Sequence, residues 1–257
     1  MFENGTWDRI WKGMSNFPPN YPEEKLLKYS THIPLLFSFM DIFKHDSILE
    51  FGAGLFSTPI FYDNYIKSFV TVEDNQKWLE FVLEEFPSKE GFKVNGPGFI
   101  FKRGNRSKEF TFSELSPEQK AKILKYYRKV YRKCNDIDLL FIDQIKYGRG
   151  ITIEKFYDKA NVILFHDCQH IKRFGYDVVN DILKHNQHDL YVYKTVPSYT
   201  GMLVKKGVKF SCDALIDKIK FFEDKYFKMI SRRNKNLTGN VNDLVCRFEQ
   251  QKKLGNF

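Results

Sequence analysis

Apolar residues in this chain fall into short blocks separated by amphipathic segments of helix length. The blocks at 46–51, 68–73, 98–103, 137–142, 161–166, 189–195 and 200–205 read as strands. Helical patterns lie between them, near 57–66, 75–86, 116–132, 150–159 and 171–186. In the second of these, Trp78, Leu79, Val82 and Phe86 share one face and Asn75 is a candidate cap. Strands alternating with helices predict a parallel sheet covered on both faces. The last two strands break the rule. Only a few residues around Pro197 join them, too few for the crossover helix that parallel neighbours need, so they are expected to be antiparallel. The fold class is therefore α/β: a doubly wound, mostly parallel seven-stranded sheet closed by an antiparallel hairpin.

Helices are expected on either side of this core. Residues 1–45 read as a helical cap, broken at Phe17–Pro22 and ending in an apolar helix from Ile33 to Phe43. Residues 211–232 carry Leu215, Ile219, Phe222, Tyr226 and Met229 on one stripe. Residues 233–257 are polar and read as weakly structured. No repeat and no linker stands out. The expectation is one domain over 1–257, divided into a cap (1–45), a Rossmann-like core (46–206) and a C-terminal helical extension (207–257).

Composition adds limits. The 257 residues are 42% hydrophobic and 17% aromatic, enough for a sizeable core. No run approaches the ~20 apolar residues of a membrane span, and Met1–Gly5 does not resemble a secretory signal. Cys134, Cys168, Cys212 and Cys246 form no CxxC pair, which argues against a zinc knuckle. A cytoplasmic protein with reduced cysteines and no membrane partner is expected. The net charge of +9 is uneven: residues 102–133 hold 11 Lys/Arg against 3 acids, and residues 205–257 hold 13 against 6. Such regions suit an anionic partner, or they are simply solvated helix faces.

The segment Ile48–Leu49–Glu50–Phe51–Gly52–Ala53–Gly54–Leu55–Phe56–Ser57–Thr58–Pro59 carries the sharpest signal. An apolar strand ends in an acid, enters a glycine-spaced turn and meets helix-start residues, with Ser57 a candidate N-cap. This arrangement lets backbone N–H groups approach a ligand. Glu50 would repel a pyrophosphate but could accept a hydrogen bond from a cationic ligand. Other strand ends are also polar: Glu73–Asp74 after the second, Asp143–Gln144 after the fourth, His166–Asp167 after the fifth. Open parallel sheets bind ligands beyond these carboxyl ends. An acid at Glu73, 21 residues after Gly52, suits ribose hydroxyls.

Glu50-x-Gly52-x-Gly54, Glu73, Asp143 and the closing hairpin together resemble the class I S-adenosylmethionine-dependent methyltransferases over roughly 45–206. The resemblance implies S-adenosylmethionine as cofactor, with Glu50, Gly52, Ala53, Gly54 and Ser57 in its loop and Glu73–Asp74 at its ribose. Asp143 and His166–Asp167 are similar to the reaction centre of the metal-assisted O-methyltransferase branch, which implies magnesium or manganese held by Asp143 and Asp167. A histidine stands where that branch has an acid, and histidine favours a softer metal or none. His166 could instead act as general base, oriented by Asp143 or Asp167. Arg149, in what reads as a flexible Tyr147–Gly150 loop, and His170 are candidate substrate contacts. No acid follows the third strand to fix adenine.

O-methylation of a sugar or other small polar acceptor is the leading expectation. An RNA-binding or RNA-modifying protein using the basic regions is a second, and an NAD-dependent oxidoreductase a third. The last is disfavoured by Glu50, by the hairpin and by Ser57 in place of a third glycine.

Overall fold

A computed structural model describes residues 4–15, 29–43, 45–96, 112–134, 136–195, 198–233 and 247–255. Its strands are β1 (Ser47–Phe51), β2 (Ser68–Val72), β3 (Phe92–Asn95), β4 (Ile137–Ile142), β5 (Ala160–His166), β6 (His188–Lys194), β7 (Thr200–Lys205) and β8 (Arg247–Gln251). They form one sheet in the order β3-β2-β1-β4-β5-β7-β6-β8. The first five strands are parallel, while β7 runs antiparallel to both β5 and β6. The chain reverses direction across the sheet between β1 and β4. This is the topological switch, and it places the ends of these two strands side by side.

The helices are α1 (Asn4–Ser15), α2 (Ile33–Ile42), α3 (Ser57–Asn64), α4 (Gln76–Glu85), α5 (Pro117–Lys133), α6 (Lys146–Phe156), α7 (Ile171–Phe174), α8 (Asp177–Lys184) and α9 (Cys212–Arg233). Strand alternation splits the core into two layers. On β4, Leu139 and Phe141 face the layer of α1–α4 and α9, while Leu140 and Ile142 face α5, α6 and α8. Both faces are apolar because both are covered. Helix α2 is buried from Ile33 to Met40. The Phe37 ring stacks between Trp7 of α1 and Phe222 of α9, at 4.3 and 5.2 Å, so the flanking helices pack on each other and the sheet. Helix α5 starts in a capping box of Ser116 and Gln119. It buries Ile123, Tyr127 and Val130 and leaves its lysines and arginines outside.

Four expectations change. The third strand is Phe92–Asn95, seated by Phe92 stacking on Phe69 at 5.2 Å; the 98–103 block lies outside the described residues. The segment 171–186 is two helices, because Gly175 at φ +70° ends the first turn in the left-handed conformation. The C-terminal stretch supplies an eighth strand: β8 pairs antiparallel with β6. Its polar sequence conceals it, since it is a half-exposed edge strand held by Phe248 stacked on Tyr191 and by a Lys194–Glu249 ion pair at 2.8 Å. Finally, Tyr147–Gly150 is no flexible loop but the buried first part of α6. Among the described residues, no helix is long and apolar enough to cross a membrane.

Candidate functional site

A cavity of about 360 Å³ opens at the switch point. Its walls are the loop Gly52–Ser57 between β1 and α3, Asp143 at the end of β4, Trp78 of α4, and Tyr29 and His32 just before α2. Of the predicted cofactor residues, Gly52, Ala53, Gly54 and Ser57 line it.

The loop is built on two devices. The first is close backbone approach. Gly52 N–H donates to Val72 O at 2.8 Å, and Asp143 N–H donates to Phe51 O at 2.8 Å, so the sheet continues into the loop. Gly52 has φ +96°, and a Cβ there would sit 2.5 Å from the Asp143 carbonyl carbon and the Gln144 nitrogen. Gly54 differs: a Cβ there would meet only Ser57 Oγ, at 3.9 Å, within the cavity wall.

The second device is Glu50. It is wholly buried and does not line the cavity. Ser57 Oγ donates to its Oε1 at 2.6 Å; Thr58 Oγ1 and Thr71 Oγ1 donate to Oε2 at 2.9 and 2.7 Å. Gly54 N–H in turn donates to Thr58 Oγ1 at 2.9 Å. Glu50 thus braces the loop from below rather than offering a free carboxylate to a ligand. Burial lifts its carboxyl to about 7, and the three hydroxyls hold it from rising further. Ser57 is spent on this brace. The α3 N-cap is Phe56, with no side-chain cap, so the predicted capping role of Ser57 is corrected.

At the end of β2, Glu73 is buried and accepts from Asn75 N–H at 2.6 Å. Tyr147 Oη donates to Asp74 Oδ2 at 3.2 Å. Burial, then the neighbouring Asp74, raises the Glu73 carboxyl.

The ends of β4 and β5 hold a charged cluster. Arg149, on α6, is buried and turned inward. Its Nη2 lies 2.7 Å from Asp143 Oδ1 and its Nη1 3.1 Å from Asp167 Oδ2. It also donates to the carbonyls of Gln144 and His166 at 2.7 and 3.0 Å, with the guanidinium 4.3 Å from the Phe174 ring centroid. Arg149 is a brace between strand ends and not the mobile substrate clamp that the sequence suggested. Asp167, at φ +59°, also accepts from Ser198 Oγ at 2.6 Å. A magnesium site shared by Asp143 and Asp167 does not fit, because the Arg149 guanidinium occupies the position between those two carboxylates. His170 caps the single turn α7 with its ring edge-on to Phe174 at 6.1 Å, and does not line the cavity.

His166 is buried. Its Nδ1 is 3.3 Å from Asp143 Oδ1, and its Nε2 is 3.1 Å from Thr31 Oγ1. Burial pulls its pKa down, but Asp143 and Asp167 more than offset this and the net shift is upward. For Asp143, burial raises the carboxyl, and His166 and Arg149 outweigh it to leave it below its usual value. His166 does not line the cavity; it reaches the cavity through Asp143. The residue that sequence reasoning missed is His32. It is 2% exposed, lines the cavity and sits edge-on to His166 with ring centroids 4.7 Å apart. Burial, then His166, lowers its pKa to about 3, so the imidazole is neutral. Nothing local marks it, since it simply precedes a buried helix. Trp78, which shares a helix face with Leu79, Val82 and Phe86 in the sequence, contributes to the cavity wall and is 38% exposed.

This architecture is shared with a solved methyltransferase structure. The O-methyltransferase from Bacillus cereus, solved in complex with SAH, superposes with TM-score 0.50 at 14% identity, covering 80% of this chain and 93% of its own. The chain has the Rossmann-like methyltransferase fold. Human methyltransferase-like protein 13, also in complex with SAH, overlays at TM-score 0.46 and 13% identity, covering 85% of this chain and 97% of its own. The 16S rRNA methylase ArmA overlays at 0.35 and 14%, covering 77% and 97%. The fold assignment rests on the first of these. No protein-family model matches the chain, and no curated protein matches it in sequence.

Proposed function

We propose that the protein is an S-adenosylmethionine-dependent methyltransferase acting on a hydroxyl of a sugar or another small polar acceptor. The observation that carries this reading is the shared cavity wall: the glycine loop and Asp143 face one open cavity at the switch point. Gly52, Ala53, Gly54 and Ser57 would hold the methionine end of the cofactor, with Glu73 and Asp74 at the ribose and Glu50 bracing the loop. When bound, S-adenosylmethionine supplies a methyl group activated by a sulfonium sulfur. A bound acceptor oxygen would take that methyl group, a C–O bond forming as the C–S bond breaks, and would give up its proton to a base. Asp143 is the acid at the cavity wall and the candidate acceptor of that proton. His166 and Asp167 act through it, as positioning residues: His166 contacts Asp143 directly, and Asp167 anchors the Arg149 bridge.

A second reading has one specific support. The outer face of α5 lines a shallow depression with Lys122, Lys125, Arg128, Lys129, Arg132 and Lys133 around Tyr126. A polyanion such as RNA would suit that face. Incubation with methyl-labelled S-adenosylmethionine separates the two. The first reading expects label in sugar or polyol acceptors, with little dependence on salt. Label confined to RNA, falling steeply between 50 and 200 mM salt as counterion release requires, would replace it with the second.

A further inference from the structure

His32, Asp143 and His166 converge from three distant parts of the chain. One nitrogen of each imidazole and one carboxylate oxygen all lie within 4.8 Å of one another. We infer that these three residues form a binding site for a single divalent transition-metal ion beside the cofactor loop. The inference rests on the methyltransferase reading only for the use made of the ion, not for its binding.

His32 carries the argument. Both of its ring nitrogens are buried without a hydrogen-bond partner among the described residues. Burying polar atoms without partners is costly, so such groups call for an explanation. A metal ion supplies one for the nitrogen that faces the cluster. His166 is arranged as a metal-binding histidine commonly is: Nδ1 is turned to the cluster and Nε2 is held by the Thr31 hydroxyl. Asp143 is likewise oriented, with Oδ1 held by Arg149. Asp143 Oδ2 makes no hydrogen bond to a described residue.

The donor set selects the metal. Two nitrogens and one carboxylate oxygen favour zinc, iron(II), cobalt or nickel over magnesium and calcium, which prefer oxygen alone. Tetrahedral ligands at about 2.1 Å from an ion stand roughly 3.4 Å apart, so side-chain movements of about an ångström close the site. Three protein ligands leave at least one position open. Since His32 and Asp143 line the cavity, that position faces the space an acceptor would fill. An acceptor hydroxyl bound there would be acidified by the ion.

The test is a titration of untagged, chelator-treated protein with Co(II), read by isothermal calorimetry and visible absorption. One Co(II) per chain is expected, with a d–d spectrum of a low-coordinate nitrogen/oxygen site and displacement by zinc but not by a 100-fold excess of magnesium. His32→Gln and Asp143→Asn should each weaken binding at least tenfold, and His185→Gln, at an exposed site, should not. Thermal melts check that the variants are folded, and either variant suffices. Failure of folded wild-type protein to bind Co(II), or binding unchanged in a folded His32→Gln or Asp143→Asn variant, overturns the inference. Parallel titration with S-adenosylhomocysteine reports on the methyltransferase reading separately, because a metal site can survive its failure and the reverse.

Discussion

Gly52→Ala is expected to destabilise the protein by about 2–6 kcal/mol and to abolish any ligand binding at the loop. Two costs add. The backbone at φ +96° is strained for any residue with a Cβ, at about 1–3 kcal/mol. The new methyl would also press to 2.5 Å against the backbone of Asp143 and Gln144, which are strand-end atoms fixed by the sheet and cannot turn aside as a side chain could. Overpacking of this kind costs a further 1–3 kcal/mol. For a chain of this size the melting temperature should fall by about 10 °C. Gly54→Ala is the control, since a Cβ there meets only Ser57 Oγ at 3.9 Å. It should melt within a few degrees of the parent. Equal melting temperatures for Gly52→Ala and the parent would show that the β1 and β4 ends do not meet as described.

Arg149→Met should cost about 3–5 kcal/mol near neutral pH, the usual result of removing one partner from a buried ionic cluster. Methionine keeps the apolar stem against Phe174 and removes the charge that bridges Asp143 and Asp167. The pH dependence gives the sign. Asp143 is held below its usual value in the folded protein, so its stabilising contribution is present above the ordinary carboxylate pKa and is lost as pH falls through the folded value. Without the guanidinium, the Asp143 carboxyl should rise and protonate sooner. The gap between parent and variant should therefore be widest near pH 7 and narrow below about pH 4. Urea denaturation at pH 7 and pH 4 measures it. A gap of equal size at both pH values would mean that the arginine acts through packing alone.

Most of the sheet was legible in the sequence, because its signals are local. Apolar blocks bounded by turns gave six strands within a residue or so, and the short connection at Pro197 gave the antiparallel reversal. Strand β3 drew no reading, because Phe92–Asn95 is short and partly polar, and the more apolar block at 98–103 lies outside the described residues. Strand β8 was missed, because edge pairing on a mostly solvated strand leaves no alternation to read. At the site, the loop glycines and Asp143 were visible as residues at strand ends. What sequence could not give was direction. Glu50 and Arg149 look like ligand-facing charges, yet both turn inward and serve as braces. His32 had no signal at all, since its importance arises only when the segment before α2 is laid across the ends of β4 and β5.

The central claim is that the Gly52–Ser57 loop binds the methyl donor. Titration of the purified protein with S-adenosylhomocysteine by calorimetry, with a melting scan at the same concentrations, tests it most directly. One site per chain is predicted, saturated below about 1 mM, with a melting temperature that rises with ligand as binding to the folded state alone requires. NADH under the same conditions should give neither signal. A folded protein with no heat and no thermal shift on addition of S-adenosylhomocysteine would contradict the account.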